Sequence, residues 1–115
     1  MLLSDFEEIL SWQKAQDLSY EIYKLLSSLR DFSFRDQIQR ASVSISNNIA
    51  EGFERKSNSE FKYFLYVAKG SCGELRSMLT LGKRLGYIDE KTFQKMYTET
   101  KEISKLIGGL IKSLK

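Results

Sequence analysis

The sequence predicts an all-α fold: an antiparallel up-down-up-down four-helix bundle made by a single domain over residues 1–115. Three observations predict it. Apolar residues recur at steps of three and four along four successive stretches, the period of one helix face. Between those stretches stand helix-start signals of the Ser/Asp type, and a glycine stop precedes the last. Proline is absent and the connections are short, so successive helices should turn back on one another.

The first helix is expected from about Ser11, with Trp12, Ala15, Leu18, Ile22, Leu25 and Leu29 on one face and Ser19, Glu21 and Lys24 on the other. The pattern fails at Arg30–Asp31–Phe32. Ser33, with Asp36 three residues on, can cap the second helix. Its stripe is Phe34, Ile38, Ala41, Ile45, Ile49 and Gly52/Phe53, and it should end near Glu54 to Lys56. Val43 and Ala50 form a second apolar face, as in helices that sit between neighbours or at an oligomer contact.

Ser57 and Glu60 make a capping box for the third helix. Its seam, Phe61, Leu65, Ala68, Cys72, Leu75, Leu79 and Gly82, runs unbroken in the coiled-coil manner until Gly86 supplies a left-handed stop. Asp89 can cap the fourth helix, whose seam is Phe93, Met96, Thr100, Ile103, Ile107, Leu110 and Leu114. Gly108–Gly109 is unusual inside a helix. Either another backbone approaches closely there, which is the reading preferred, or the helix end frays.

Composition excludes much chemistry. There is no histidine, hence no histidine base, metal ligand or triad. No Gly-rich phosphate loop occurs, and no cofactor or metal is expected. The lone Cys72 lies on the third helix's seam, where a small core residue is a better reading than a nucleophile. It cannot form an internal disulfide, which fits a reducing, cytoplasmic setting. The apolar runs are too short to span a bilayer. With 18 Lys+Arg against 15 Asp+Glu, the net charge of +3 permits nucleic-acid binding without arguing for it.

Lys62, Lys69, Arg76 and Lys83 recur every seven residues along one edge of the third helix. Such a row can follow phosphates; equally it can be a solvated flank whose stems cover the seam, or an oligomer rim meeting acids of a neighbouring chain. Arg55 and Lys56 stand beside the N–H groups that open the third helix, an anion-binding arrangement unless the caps occupy those donors. Arg35, Gln39 and Arg40 gather at the other end of the second helix. Asn47, Asn48, Glu51 and Gly52 form a polar knot within or beside the second helix's inward stripe. A knot of this kind reads better as a device fixing helix register than as a catalytic group, and Glu51 can pair with Arg55 one turn on. Tyr63 and Tyr66 are surface aromatics suited to stacking bases or to a subunit contact.

Trp12–Ala15 with Leu18 and Tyr23 is similar to the opening signature of one known family. So are Gln37–Ile38, Arg40–Ala41, Ser44–Ile45, Asn48–Gly52, Ser59–Phe61, Phe64–Leu65, Ala68, Gly70–Ser71, Glu74–Leu75 and Leu85–Ile88, in order and with fitting spacing. The chain resembles the bacterial 23S rRNA intervening-sequence (S23-like) four-helix bundle proteins from about Phe6 to Leu114. The resemblance implies a small non-enzymatic bundle assembling as a ring-like homopentamer. It also implies a relation to the accessory variability determinant of diversity-generating retroelements, a strongly basic branch that binds nucleic acid and a reverse transcriptase. At +3 the chain departs from that branch. The expected partners are therefore further copies of the chain, RNA or DNA through the basic row and Arg55–Lys56, or a protein for which the chain is a scaffold; a membrane is not among them.

Overall fold

The computed structural model describes residues 3–115. A short 3-10 turn, Phe6–Glu8, leads into four helices: α1 Leu10–Leu25, α2 Phe32–Phe53, α3 Asn58–Arg84 and α4 Glu90–Ser113. No strand occurs among the described residues. Each helix packs on two others, α1 on α2 and α4, and α3 on α2 and α4. The bundle measures 43 × 22 × 19 Å, so α3 spans nearly its whole length.

The α3 seam is as expected: all of Phe61, Leu65, Ala68, Cys72, Leu75, Leu79 and Gly82 are buried. They meet Ile38, Ala41, Ile45 and Ile49 of α2 and Ile103 and Ile107 of α4 in one core. At the α2–α3 crossing a Cβ on Gly52 would lie 2.7 Å from the Phe64 Cβ. The helices therefore approach where the side chain is missing. Gly86, at φ 79°, ends α3, and the Gly82 carbonyl accepts from Tyr87 N at 2.9 Å and Ile88 N at 3.3 Å.

Pairs across the helices fix the register. Ser44 Oγ meets Ser71 Oγ at 2.8 Å, and Gln16 Nε2 donates to Ser46 Oγ at 3.1 Å. Lys14 bridges to Glu102 at 2.9 Å and Lys95 to Glu21 at 2.6 Å. From α3 to α4, Asn58 Nδ2 donates to the Lys115 carbonyl at 3.3 Å, Lys69 Nζ to Ser104 Oγ at 3.3 Å, and Lys83 bridges to Glu90 at 2.7 Å.

Four expectations are corrected. The buried face of α1 is Ser11, Ala15, Leu18, Ser19 and Ile22, continued by Leu26, whereas Leu25 is 40% exposed. Small serines take core positions on α1, and Trp12 packs half-buried against the core, its ring centroid 5.2 Å from that of Phe6. Leu29 lies beyond the helix end, yet it still packs half-buried against the core. The α2 cap is Asp31, two residues before Ser33; its Oδ1 accepts from Phe34 N at 3.1 Å. Finally, no backbone approaches Gly108–Gly109. A Cβ on Gly108 would face only Lys69 Nζ at 3.7 Å, one on Gly109 would meet nothing within 4 Å, and the helix runs through both. Gly109→Ala should therefore stabilise the protein by roughly 0.5–1 kcal/mol through helix propensity alone, read as a higher urea midpoint with an unchanged slope.

Asp31 also clasps the two loops at one end. Its Oδ2 accepts from the Tyr87 hydroxyl at 2.7 Å, and the Phe34 and Tyr87 rings meet edge to face at 5.2 Å. The Tyr87 hydroxyl, then the Phe34 N–H, hold the Asp31 carboxyl below its ordinary range, and the bond to Asp31 raises Tyr87. A lowered carboxyl stabilises the fold above its unfolded value, about pH 4, and that contribution drains away as pH falls through the folded value. A raised tyrosine contributes below about pH 10 and loses that contribution as pH rises through its folded value. Urea midpoints of Asp31→Asn should fall less steeply below about pH 4 than those of the wild type.

Candidate nucleic-acid interface

The predicted row lies along the α3–α4 groove. Lys62, Lys69 and Arg76 are half-buried and Lys83 is exposed. Their stems cover the seam, and three of the four heads are engaged within the chain. Lys69 reaches Ser104, and the Arg76 guanidinium stands 6.0 Å from the centroid of the Tyr97 ring. Lys83 bridges to Glu90 and lies 4.8 Å from the Phe93 ring centroid. That bridge, ahead of the bond from Gln94, holds the Glu90 carboxyl low. The flank reading thus accounts for much of the row, most fully at its Lys83 end.

The other end differs. Lys62 has no carboxylate within bridging distance among the described residues. Across the groove, α4 presents Tyr97, Lys101, Ser104 and Gly108 to α3. Lys101 Nζ lies 6.0 Å from the Tyr97 ring centroid, on the ring that Arg76 also approaches. Lys112, about three turns beyond Lys101, continues the same flank. Two files of cations therefore border one groove. Sequence reading missed Lys101 and Lys112; their spacing of eleven residues was the available signal, but which helix they faced depends on the register of α3 against α4.

Arg55 and Lys56 are exposed at this end, beside the start of α3 and near Leu114. Arg55 is partly spent: it bridges to Glu51 at 2.9 Å, as expected, and stacks 4.8 Å from the Phe64 ring centroid. Ser57 Oγ accepts from Glu60 N at 3.1 Å, so the cap already occupies one donor that an anion would use.

The polar knot does not face inward as a unit. Asn47 and Glu51 are exposed, Asn48 is half-buried and Gly52 is buried. The interhelical pair is made by Ser44 and Ser71, with Asn48 Nδ2 donating to the Ser44 carbonyl at 2.8 Å and to its hydroxyl at 2.9 Å. Asn48 thereby orients the serine that crosses to α3, while Asn47 and Glu51 line an open groove with Arg40 and Tyr23.

Acids gather elsewhere. Asp17, Glu21, Glu99 and Glu102 border the α1–α4 groove with Lys14, and Lys95 bridges to Glu21 and Glu99 beside it. Hydrogen bonds to Glu102 and Glu21 respectively raise those two lysines. Faces of opposite sign therefore flank α4. Burial pushes the Cys72 thiol up to about 11, against the opposing pull of Lys69 and Arg76. At neutral pH it is a protonated core group. Among the described residues no cluster of His, Cys, Asp and Glu is placed to hold a metal ion, and no helix is long and apolar enough to cross a membrane.

Residues 7–109 match the family described as 23S rRNA-intervening sequence protein. No curated protein matches the chain. The fold is similar to the crystal structure of a protein of unknown function from the S23 ribosomal protein family of Bacteroides thetaiotaomicron VPI-5482. The TM-score is 0.83 and the identity 28%, covering 90% of this chain and 99% of that one. With residues 7–109 matched, most of its length, the chain belongs to the 23S rRNA-intervening sequence protein family.

Proposed function

We propose that the protein is a non-catalytic, self-assembling bundle that binds nucleic acid along its α3–α4 groove. The observation that carries this is the double file of Lys62 and Lys69 on α3 with Lys101 and Lys112 on α4. It opens toward Lys56 and Lys115, whose end of the bundle is tied by the Asn58–Lys115 bond. Cations spaced along a groove follow a phosphate backbone and give an affinity set by counterion release. The absence of histidine and the buried, protonated Cys72 support a non-catalytic reading, and the lone thiol fits the cytoplasm.

Helix direction belongs to the same reading. We infer an up-down-up-down course because numbers rise on one helix as they fall on its partner three times over: Asn58, Lys69 and Lys83 of α3 meet Lys115, Ser104 and Glu90, Lys14 and Glu21 of α1 meet Glu102 and Lys95 of α4, and Ser44 and Phe53 of α2 meet Ser71 and Phe61 of α3. Self-assembly, as the homopentamer the family resemblance implies, is supported by exposed Tyr63, Tyr66 and Val67 together on α3, side chains of the kind subunit contacts favour.

The test titrates purified protein against labelled structured RNA and single-stranded DNA at 50 and 200 mM salt. About six phosphate contacts would lower affinity roughly 10³-fold between those conditions. No binding at the lower salt removes the nucleic-acid reading. A second reading then stands on its own observation, the acidic α1–α4 groove: the basic row of one copy meets the acids of the next, and the assembled ring is a protein-interaction scaffold. Under that reading the sedimentation mass falls toward that of one chain as salt rises.

A further inference from the structure

Three tyrosines stand on or beside the α3–α4 face, and two of them are engaged within the chain. Tyr63 meets Phe64 edge to face, with ring centroids 5.2 Å apart. Tyr97 packs on Phe93 at 5.3 Å and has Arg76 and Lys101 each 6.0 Å from its ring centroid. Tyr66 is 60% exposed and has no ring or cation partner among the described residues.

Helix geometry puts that ring beside the cation row. Lys62 stands four residues before Tyr66 and Lys69 three after, about 6 and 4.5 Å away along the axis, the spacings of neighbours on one face. Tyr66 is turned only about 40° from Lys62 around α3, whereas Tyr63 and Val67 are turned about 100° and 140°. Of the three exposed side chains on this stretch, Tyr66 therefore belongs with the lysines, and Tyr63 and Val67 remain for a subunit contact.

One side of the ring is left open by the sequence. Side chains on a helix lean toward its N-terminus, so the residue that would cover the C-terminal side of Tyr66 is residue 70, one turn on. That residue is glycine, and a Cβ on Gly70 would meet nothing within 4 Å. No neighbouring helix requires the missing side chain, and glycine is unfavourable inside a helix. Lys69 does not fill the space either, because its Nζ crosses to Ser104 Oγ at 3.3 Å. Lys62 makes no salt bridge among the described residues. An unpartnered aromatic face thus lies between two ammonium groups.

We propose that the α3–α4 groove takes its nucleic acid as a single strand, one unpaired base stacking on Tyr66 in the space beside Gly70 and the adjoining phosphates held by Lys62 and Lys69. This rests on the nucleic-acid reading above and names the ligand class within it. A duplex keeps its bases paired and stacked on one another, and offers Tyr66 only sugar and phosphate. A single strand offers a π-face at every nucleotide, and stacking on it tolerates any base. The shared chemistry is a base flanked by phosphates, in RNA or in DNA.

The experiment uses the whole chain and fluorescence anisotropy at about 50 mM salt. The probes are labelled oligouridylate and oligothymidylate of about twelve nucleotides, and a blunt RNA duplex of equal length. Both single strands should bind roughly tenfold more tightly than the duplex. Tyr66→Ala should weaken the single strands roughly tenfold while leaving the duplex unchanged. Its log-affinity against log-salt slope should match the wild type's, because no phosphate contact is lost. Tyr66→Phe keeps the ring and should bind within about twofold of the wild type. Gly70→Leu covers the ring without changing charge, favours the helix, and should weaken binding as Tyr66→Ala does. A loss confined to one of the two single strands supports the proposal and names its sugar.

Duplex binding as tight as that of the single strands overturns the proposal, as does unchanged single-strand affinity in Tyr66→Ala and Gly70→Leu. If Lys62→Glu with Lys69→Glu still abolishes binding in that case, the cation groove stands without the stacked base. No binding of any probe by the wild type overturns both. Tyr66→Ala should also sediment at the wild-type mass; a lower mass overturns the proposal and returns Tyr66 to the subunit contact.

Discussion

Gly52→Val should lower the unfolding free energy by about 3 kcal/mol, at the upper end of what overpacking costs. A side chain at residue 52 would meet the Phe64 Cβ at 2.7 Å, the Phe61 ring at 3.0 Å and the Phe61 carbonyl at 3.2 Å. Two of those three atoms are fixed to the α3 backbone and cannot rotate aside, so α2 and α3 must part at their loop end. The separation would loosen the Phe53–Phe61 edge contact, whose ring centroids are 5.9 Å apart. Gly82→Ala is the control. Its nearest neighbours are the tips of Ile88, at 2.8 Å, and Phe34, at 2.9 Å. Tips can turn, so a smaller loss is expected. Urea unfolding followed by circular dichroism reads both variants, and a Gly52→Val midpoint equal to the wild type's would refute the backbone-limited contact.

Gly52 shows how far the sequence could be read. Its place on the α2 stripe followed from periodicity, but its partner did not. Only the packed pair of helices reveals that Phe64, off the α3 seam, has its Cβ against it. The α3 seam was legible because every position in it is apolar or small and the spacing never slips. The α1 face was misread because Ser11 and Ser19 look polar and Leu25 looks apolar, whereas packing put the small serines in core positions and left Leu25 outside. The Asp31 cap was hidden by the Ser33–Asp36 pair, which has the right spacing two residues too late. The Phe34 N–H identifies Asp31 as the cap, and the hydroxyl of Tyr87, 56 positions away, holds the other oxygen of the same carboxylate.

The basic row has the same logic. Heptad spacing placed Lys62, Lys69, Arg76 and Lys83 on one edge of α3, and they are on one edge. Spacing within a helix carries no information about the helix beside it. Tyr97, Ser104 and Glu90 of α4 engage three of the four cations. Lys101 and Lys112 add charge that a single-helix pattern could not assign. On the proposed nucleic-acid reading, the contact is therefore shifted toward the α2–α3 loop end, away from Lys83.

That shift makes a prediction with a larger effect than any single substitution. The triple variant Lys62→Glu, Lys69→Glu, Lys112→Glu should bind RNA or single-stranded DNA at least about 100-fold more weakly at low salt, and its log-affinity against log-salt slope should flatten by about 2 to 3. The loss should be similar for unrelated sequences, because phosphate contacts position a nucleic acid without reading it. Folding should survive: Lys62 and Lys112 make no salt bridge among the described residues, and Lys69 gives up only its bond to Ser104. Lys83→Glu, by contrast, should leave binding nearly unchanged and instead destabilise the α3–α4 turn by setting a second acid against Glu90. Should Lys83→Glu cost as much binding as the triple variant, the whole row would be the contact and the shift toward the loop end would be wrong. Unchanged binding in the triple variant would remove the α3–α4 groove from the nucleic-acid reading. A triple variant that no longer assembles, beside a wild type that binds no nucleic acid, would place these lysines on the rim between subunits, facing the acids of the α1–α4 groove.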